Sequence, residues 1–149
     1  MKFAFAILFA FASLSAIGSD FRVTLPLVSK HYFCGNNQCI QLNETNLGVG
    51  GEYDGYGVIS FENSHSRQSF AAYKAFEYGV TSYLGLGIRL GGASGYKEET
   101  GMDIVPLVQP YFRLVPMNRF SLNVGIVPVG LVDTKNYNMV ITLDSQISF

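Results

Sequence analysis

Apolar and polar residues alternate along much of this chain, and the alternation predicts β-strands. The clearest segment covers positions 84 to 91, where leucine or isoleucine holds every even position and glycine or arginine every odd one. A period of two places successive side chains on opposite faces of a strand. Leucines that face lipid and glycines that face a lumen predict a barrel wall with room inside.

Seven further strands are predicted, and they begin near Phe21, Asn46, Tyr56, Phe70, Asp103, Ser121 and Asn138. Alternation recurs in the first of them and in the last two. Asp54-Gly55 predicts a two-residue hairpin turn, residues 115–118 a second turn, and the polar run 97–101 a solvent loop. Pro26 interrupts the first strand and predicts a bulge or a gap in strand pairing. Eight strands predict an all-β fold, an eight-stranded antiparallel outer-membrane β-barrel with a partly apolar lumen.

The two ends of the chain indicate export. Lys2, the apolar run 3–12 and the small-residue site Ala16-Ile17-Gly18 predict a signal peptide over residues 1–18. Residues 19–149 then form one domain. Phe149, preceded by alternating apolar residues, is the ending typical of Gram-negative outer-membrane proteins. We therefore expect Sec export and a place in the cell outer membrane of a Gram-negative bacterium, with a soluble periplasmic β-domain as the alternative.

Composition and charge narrow the class of protein. The chain is 48% hydrophobic and only 14% charged. Its mature part has no apolar stretch long enough for a membrane helix, and this favours a membrane barrel. Without Lys2 the chain has nine basic and eleven acidic residues, so its net charge is near −2. That balance argues against nucleic acid as a partner, since phosphate binding requires a basic face.

Two cysteines, Cys34 and Cys39, bracket the turn-rich sequence Gly-Asn-Asn-Gln. In an exported chain this spacing favours a disulfide across the loop. Two free thiols are the alternative. Metal binding is disfavoured because His31 is the only other ligand type nearby.

Several polar residues are expected at one rim of the barrel. His31, Asn63 and Ser64 each lie at the end of a strand that runs towards that rim, or just beyond it. A serine beside a base favours acyl transfer, in which the histidine accepts the proton of the attacking hydroxyl. His65 is an alternative base. The other alternative is a solvated rim with no chemical role.

The order of these residues resembles that of a known family, the lipid A palmitoyltransferases (PagP). Pro26 precedes His31 by five residues, as a first-strand proline precedes an essential histidine in that family. Phe61 to Ser64 matches an aromatic residue, a variable residue and an Asp-Ser pair, with Asn63 in place of the aspartate.

Further short matches follow in the same order, and they are a Leu-Gly-Leu-Gly strand at 84–87, the prolines at 106 and 110, Val127-Pro128, and the terminal Phe149. The resemblance covers about residues 21–149. Each motif is weak alone, and their order and spacing make the set specific.

The resemblance implies an acyltransferase that moves a palmitoyl chain from a phospholipid to lipid A, as a monomer and without a cofactor. It implies that His31 is the catalytic base and Ser64 its hydroxyl partner. Pro26 and Pro128 would mark gaps through which lipid enters sideways. Ala75, where the family has a glycine near the floor of its acyl pocket, would shorten the accepted chain. An inactive barrel that binds lipid and a lipid A deacylase remain alternatives.

Overall fold

The computed structural model describes residues 21–32, 42–129 and 138–149, which form a closed barrel of eight antiparallel strands. Each strand pairs with its neighbours in chain order, and the eighth closes on the first. The strands are β1 (Phe21–Tyr32), β2 (Gly48–Tyr53), β3 (Tyr56–Glu62), β4 (Gln68–Gly79), β5 (Leu84–Ser94), β6 (Ile104–Met117), β7 (Phe120–Pro128) and β8 (Met139–Ser148). The predicted fold class is confirmed.

Two connections differ from the sequence-based expectation. The run 97–101 contains a one-turn helix, α1 (Lys97–Thr100), which ends at Gly101 in a left-handed conformation. Strand β6 continues to Met117 instead of ending in a turn at 115. It does so through a register shift between Leu114 and Met117, and the tight turn falls at 118–119.

Two predictions lie outside the described residues. They are the signal peptide over residues 1–18 and the disulfide between Cys34 and Cys39. Within the described ranges, no helix has the length and apolar character needed to cross a membrane.

The two ends of the barrel have connections of different length. At one end, here called the lower end, β2 and β3, β4 and β5, and β6 and β7 are joined by two to four residues. At the opposite end, the upper end, the connections have five or more residues. His31 and the connection 63–67 lie at the upper end, as predicted.

The exterior of the barrel is apolar. Large side chains at even positions of β4 and β5 point outwards and are exposed, among them Phe70, Phe76 and Leu90. Outward residues of β3 and β6 continue this surface, with Val58 and Phe112. A soluble domain buries such a face, whereas a lipid-facing barrel exposes it.

The lower half of the lumen is filled by tyrosine rings. A Cβ atom placed on Gly57 would lie 2.3 Å from Cζ of Tyr73, and one on Gly87 would lie 2.3 Å from Cζ of Tyr111. These glycines therefore make room for rings from neighbouring strands. Our expectation that lumen glycines leave open space is wrong at Gly87, because the ring of Tyr111 occupies it.

Charged groups complete the filling of the lower half. Glu52 accepts hydrogen bonds from Arg22, the Tyr73 hydroxyl and Gln146, at 3.0 to 3.2 Å. Nearer the lower end, Glu77 binds Arg113 at 2.6 Å, Arg22 at 3.1 Å and the Tyr111 hydroxyl at 3.0 Å. Arginines and carboxylates thus bind each other inside the barrel, as buried charges require.

Candidate functional site

The upper half of the lumen holds a cavity of about 210 Å³. Its walls are mostly apolar, with side chains such as Ile59, Phe61, Ala71 and Val105. Ser64 lies in its lining at the upper end. A cavity of this kind suits an apolar chain whose polar end remains at the rim.

The floor of the cavity is polar. Arg89, 2% exposed, makes a bidentate ion pair with Asp144 through N–O distances of 2.7 and 3.1 Å. Asn123 and Gln109 add hydrogen bonds to this pair, and the ring of Tyr73 lies 5.2 Å from the guanidinium. The ion pair separates the apolar cavity from the charged lower half.

His31 and Ser64 meet at the mouth of this cavity. Strand β1 ends next to His31, and Ser64 is the second residue after β3, so both residues reach the upper rim from strands that run in the same direction. Nε2 of His31 lies 2.7 Å from Oγ of Ser64. This distance corresponds to a hydrogen bond of the kind that joins a nucleophile to its general base.

Asn63 is fully buried and organises the connection that carries Ser64. Its Nδ2 donates to Oγ of Ser69 and to the carbonyl of Gly95, both at 2.9 Å. Its Oδ1 accepts from the backbone N–H groups of His65 and Arg67, at 2.9 and 3.1 Å. These four bonds use the amide fully. Asn63 therefore fixes the backbone on either side of Ser64, and it does not orient the imidazole of His31.

An ionic cluster holds this connection to the neighbouring one. Arg67 binds both Glu98 and Glu99 of α1. Nδ1 of His65 lies 3.5 Å from Oε1 of Glu99, and the His65 ring meets Tyr96 edge-on. Burial lowers the pKa of His65, and nearby Arg67 adds to that effect while Glu99 opposes it. His65 is thus a member of this cluster, and its side chain contacts Glu99 and Tyr96 of the neighbouring connection.

Strand pairing is interrupted beside both prolines of interest. Strand β1 pairs with β2 only as far as Thr24. On its other side, the pairing of β1 with β8 has a bulge between Pro26 and Val28. Among the described strand residues, the pairing of β6 with β7 extends upwards only to Tyr111 and Gly125, so Pro128 lies in the part of β7 that is not paired with β6. Both prolines line the cavity, which thus reaches the barrel wall at two places.

Ala75 lies below the cavity. On β4 the inward residues towards the lower end are Ala71, Tyr73 and Ala75, and the first two line the cavity. Ala75 packs against Ile59 and Tyr73 and is the register partner of Arg89. Our expectation that the Ala75 methyl shortens the acyl pocket does not agree with this placement, because Tyr73 and Arg89 close the cavity above it.

Sequence reasoning missed the polar floor and the ionic cluster. Glu98 and Glu99 were expected to lie in a solvated loop, whereas both bind Arg67. Within the described ranges, no group of three or more histidine, cysteine, aspartate or glutamate side chains could hold a metal ion.

No protein-family model matches this sequence, and no curated protein is significantly similar to it. Among solved structures, the barrel is similar to the backbone structure of the Yersinia pestis outer membrane protein Ail in a phospholipid bilayer nanodisc. The sequences are 9% identical, the TM-score is 0.49, and the match covers 89% of this chain and 100% of that one. The likeness concerns the barrel fold alone.

Proposed function

We propose that this chain is an outer-membrane barrel that transfers an acyl chain from a phospholipid to lipid A. The exposed apolar exterior supports the membrane location, because water would leave side chains such as Phe70 and Phe112 without cover. Short connections at the lower end and long ones at the upper end are the usual periplasmic and external sides of such a barrel.

One observation carries the acyl-transfer proposal. The 2.7 Å contact between Nε2 of His31 and Oγ of Ser64 lies at the mouth of an apolar cavity that reaches both interruptions in the wall. A phospholipid could pass an acyl chain sideways through an interruption and leave its ester at the rim. The interruption beside Pro26 or the one beside Pro128 would let the acyl chain pass.

The chemistry then follows from a hydroxyl and a base. Oγ of Ser64 attacks the ester carbonyl while its proton moves to Nε2 of His31, and the lysophospholipid leaves with that proton. A hydroxyl of lipid A attacks the resulting Ser64 ester and gives its proton to His31. Ser64 leaves as the free hydroxyl when it recovers that proton, so the residues return to their starting state.

The absence of a carboxylate at position 63 sets the expected rate. The four hydrogen bonds of Asn63 lead to other groups, so it gives the imidazolium no charge stabilisation. In serine proteases the exchange of the triad aspartate for asparagine lowers kcat by about 10⁴. A slow transferase is expected. The same observation favours the second candidate, a barrel that binds lipid and does not catalyse.

The test is mass spectrometry of lipid A from a Gram-negative strain that lacks its own acyltransferase and expresses this chain. A species heavier by one acyl chain is expected, and it should disappear in His31→Ala and Ser64→Ala. Ser66→Ala is the matched control, because Ser66 is an exposed serine two residues away with no side-chain hydrogen bond in the described part of the chain.

The other outcomes separate the alternatives. A lighter lipid A species that depends on His31 would identify a deacylase. Unchanged lipid A, with heat-modifiable barrel present in the outer membrane, would overturn the enzyme proposal and leave the lipid-binding barrel.

A further inference from the structure

Two buried side-chain oxygen atoms in the cavity lining have no hydrogen-bond partner among the described residues. They are Oγ of Ser29 and Oδ1 of Asn46. Both side chains line the cavity that Ser64 borders, and they are only 7% and 8% exposed. A buried polar atom without a partner is costly, so the two atoms mark a place built for a polar ligand group.

The backbone places these two side chains next to each other. Val28 and Thr45 form an antiparallel bridge, flanked by bonds from Ser29 N–H to the Glu44 carbonyl at 2.9 Å and from Asn46 N–H to the Leu27 carbonyl at 3.1 Å. Ser29 and Asn46 are diagonal neighbours across that bridge, on its lumen side. Diagonal neighbours have Cα atoms about 7–8 Å apart, which one bridging oxygen can span through the two side chains.

The chemistry of the pair selects the ligand group. Oδ1 of Asn46 can only accept a hydrogen bond, whereas Oγ of Ser29 can donate one. An ester carbonyl or an oxyanion would satisfy Ser29 and face the Asn46 oxygen without a proton. A methylene group would satisfy neither. A hydroxyl group satisfies both, since it donates to Asn46 and accepts from Ser29.

The position of the pair fixes where that hydroxyl lies on its chain. Ser29 is two residues below His31 on the same face of β1, a rise of about 6.6 Å along the strand. An ester held at Ser64 would therefore present the first few carbons of its acyl chain to the pair.

We propose that the cavity selects an acyl chain with a hydroxyl group within the first few carbons of its ester, bound between Ser29 and Asn46. The location of the ester rests on the proposed function. The hydroxyl site itself rests on the two buried atoms.

The experiment compares the binding of 3-hydroxydodecanoate and dodecanoate to the purified barrel in detergent micelles, by isothermal titration. The two acids have the same charge and length. Their different partition into micelles cancels when the ratio of their Kd values is compared between variants. Ser29→Ala removes one partner of the hydroxyl, and we expect the preference for the hydroxylated acid to fall about tenfold from that of the wild type.

Ser121→Ala is the matched control. Ser121 is 1% exposed, and its hydroxyl also has no partner in the described ranges, but it lies in the lower half and not in the cavity lining. This variant should keep the wild-type ratio. Equal ratios in the wild type and Ser29→Ala, an equal loss in Ser121→Ala, or binding of neither acid would overturn the inference.

Binding is measured here without turnover, so the two proposals can fail separately. A barrel that prefers the hydroxylated acid through Ser29 and modifies no lipid A would support the site and contradict the enzyme. A barrel that acylates lipid A and shows no Ser29-dependent preference would do the reverse.

Discussion

Asn63 shows how one side chain can hold a site together without joining its chemistry. The amide makes two donor and two acceptor hydrogen bonds, and each end of it faces a different part of the upper rim. An aspartate has the same shape but no donors. The surroundings of position 63 therefore require an asparagine. The aspartate of the resembled family would fit here only if those surroundings changed.

We predict that Asn63→Asp destabilises the barrel and does not increase any acyl transfer. The Ser69 hydroxyl can reverse its role and donate to a carboxylate, but the carboxylate would lose the bond donated to the Gly95 carbonyl and would place an oxygen against that carbonyl, a contact that is now 2.9 Å long. A loss of about 1–3 kcal/mol in the free energy of unfolding is expected. Urea unfolding in micelles, followed by the heat-modifiable shift on gels, would measure it.

Asn138→Asp is the control for charge alone. Asn138 lies at the same rim, is exposed, and makes no side-chain hydrogen bond within the described ranges. Its exchange should change the free energy of unfolding by less than about 0.5 kcal/mol. A stable and more active Asn63→Asp variant would contradict the structural role that we assign to Asn63.

At the scale of elements, two upper connections act as one body. The connection 63–67 and the segment 95–100 are joined by the Asn63–Gly95 bond, by Arg67 with its two glutamates, and by His65 beside Glu99. Since Ser64 lies within the first of these, its position over His31 depends on the second. The geometry of the site is thus set by loops that are tied to each other.

The burial of His65 predicts a pH dependence of stability. Burial lowers the pKa of His65 in the folded barrel below the value of about 6.5 that it has in the unfolded chain. The unfolded state then binds more protons, so stability is full above pH 6.5 and is lost as the pH falls from there towards the folded pKa. Acid should loosen the two connections.

The measurement is the difference in free energy of unfolding between the wild type and His65→Gln from pH 7.5 to pH 5. Contributions from other groups cancel in this difference. We expect the wild type to lose stability relative to the variant below pH 6.5. A difference that is constant with pH, or that grows as the pH falls, would contradict the lowered pKa.

Strands and turns were predictable because their signals are local. The period of two and the Asp54-Gly55 turn placed β3 at Tyr56–Glu62, as observed. The meeting of His31 and Ser64 was also accessible, because strands that run in one direction end at one rim. The extra length of β6 was not, since its end depends on a bulge against β7.

At the scale of the whole molecule, the lumen is divided into an apolar upper half and a charged lower half. This division was hidden from the sequence, because the ion pair that forms it joins Arg89 to Asp144 across 55 positions. A single inward arginine on a glycine-rich strand predicts neither its partner nor the depth at which they meet. The register of eight strands decides both.

The division assigns the control of acyl length to residues above Arg89. Successive inward residues on β4 are about 6.6 Å apart along the strand. Ala71 is therefore one such step above Tyr73 and two steps above Ala75. Ala71→Leu would extend a side chain into the cavity, and we expect the longest accepted chain to shorten by about two or three methylene groups. Ala75→Gly should leave that length unchanged, because the methyl lies beneath the floor.

Both variants can be measured by the mass of the acyl chain added to lipid A, or by the affinities of a series of saturated fatty acids if no transfer occurs. The second measurement keeps the prediction independent of catalysis. A longer accepted chain in Ala75→Gly would show that the cavity opens past Tyr73 and Arg89 when occupied. The ion pair would then be a movable floor, and the charged lower half would be part of the binding space that the sequence first suggested.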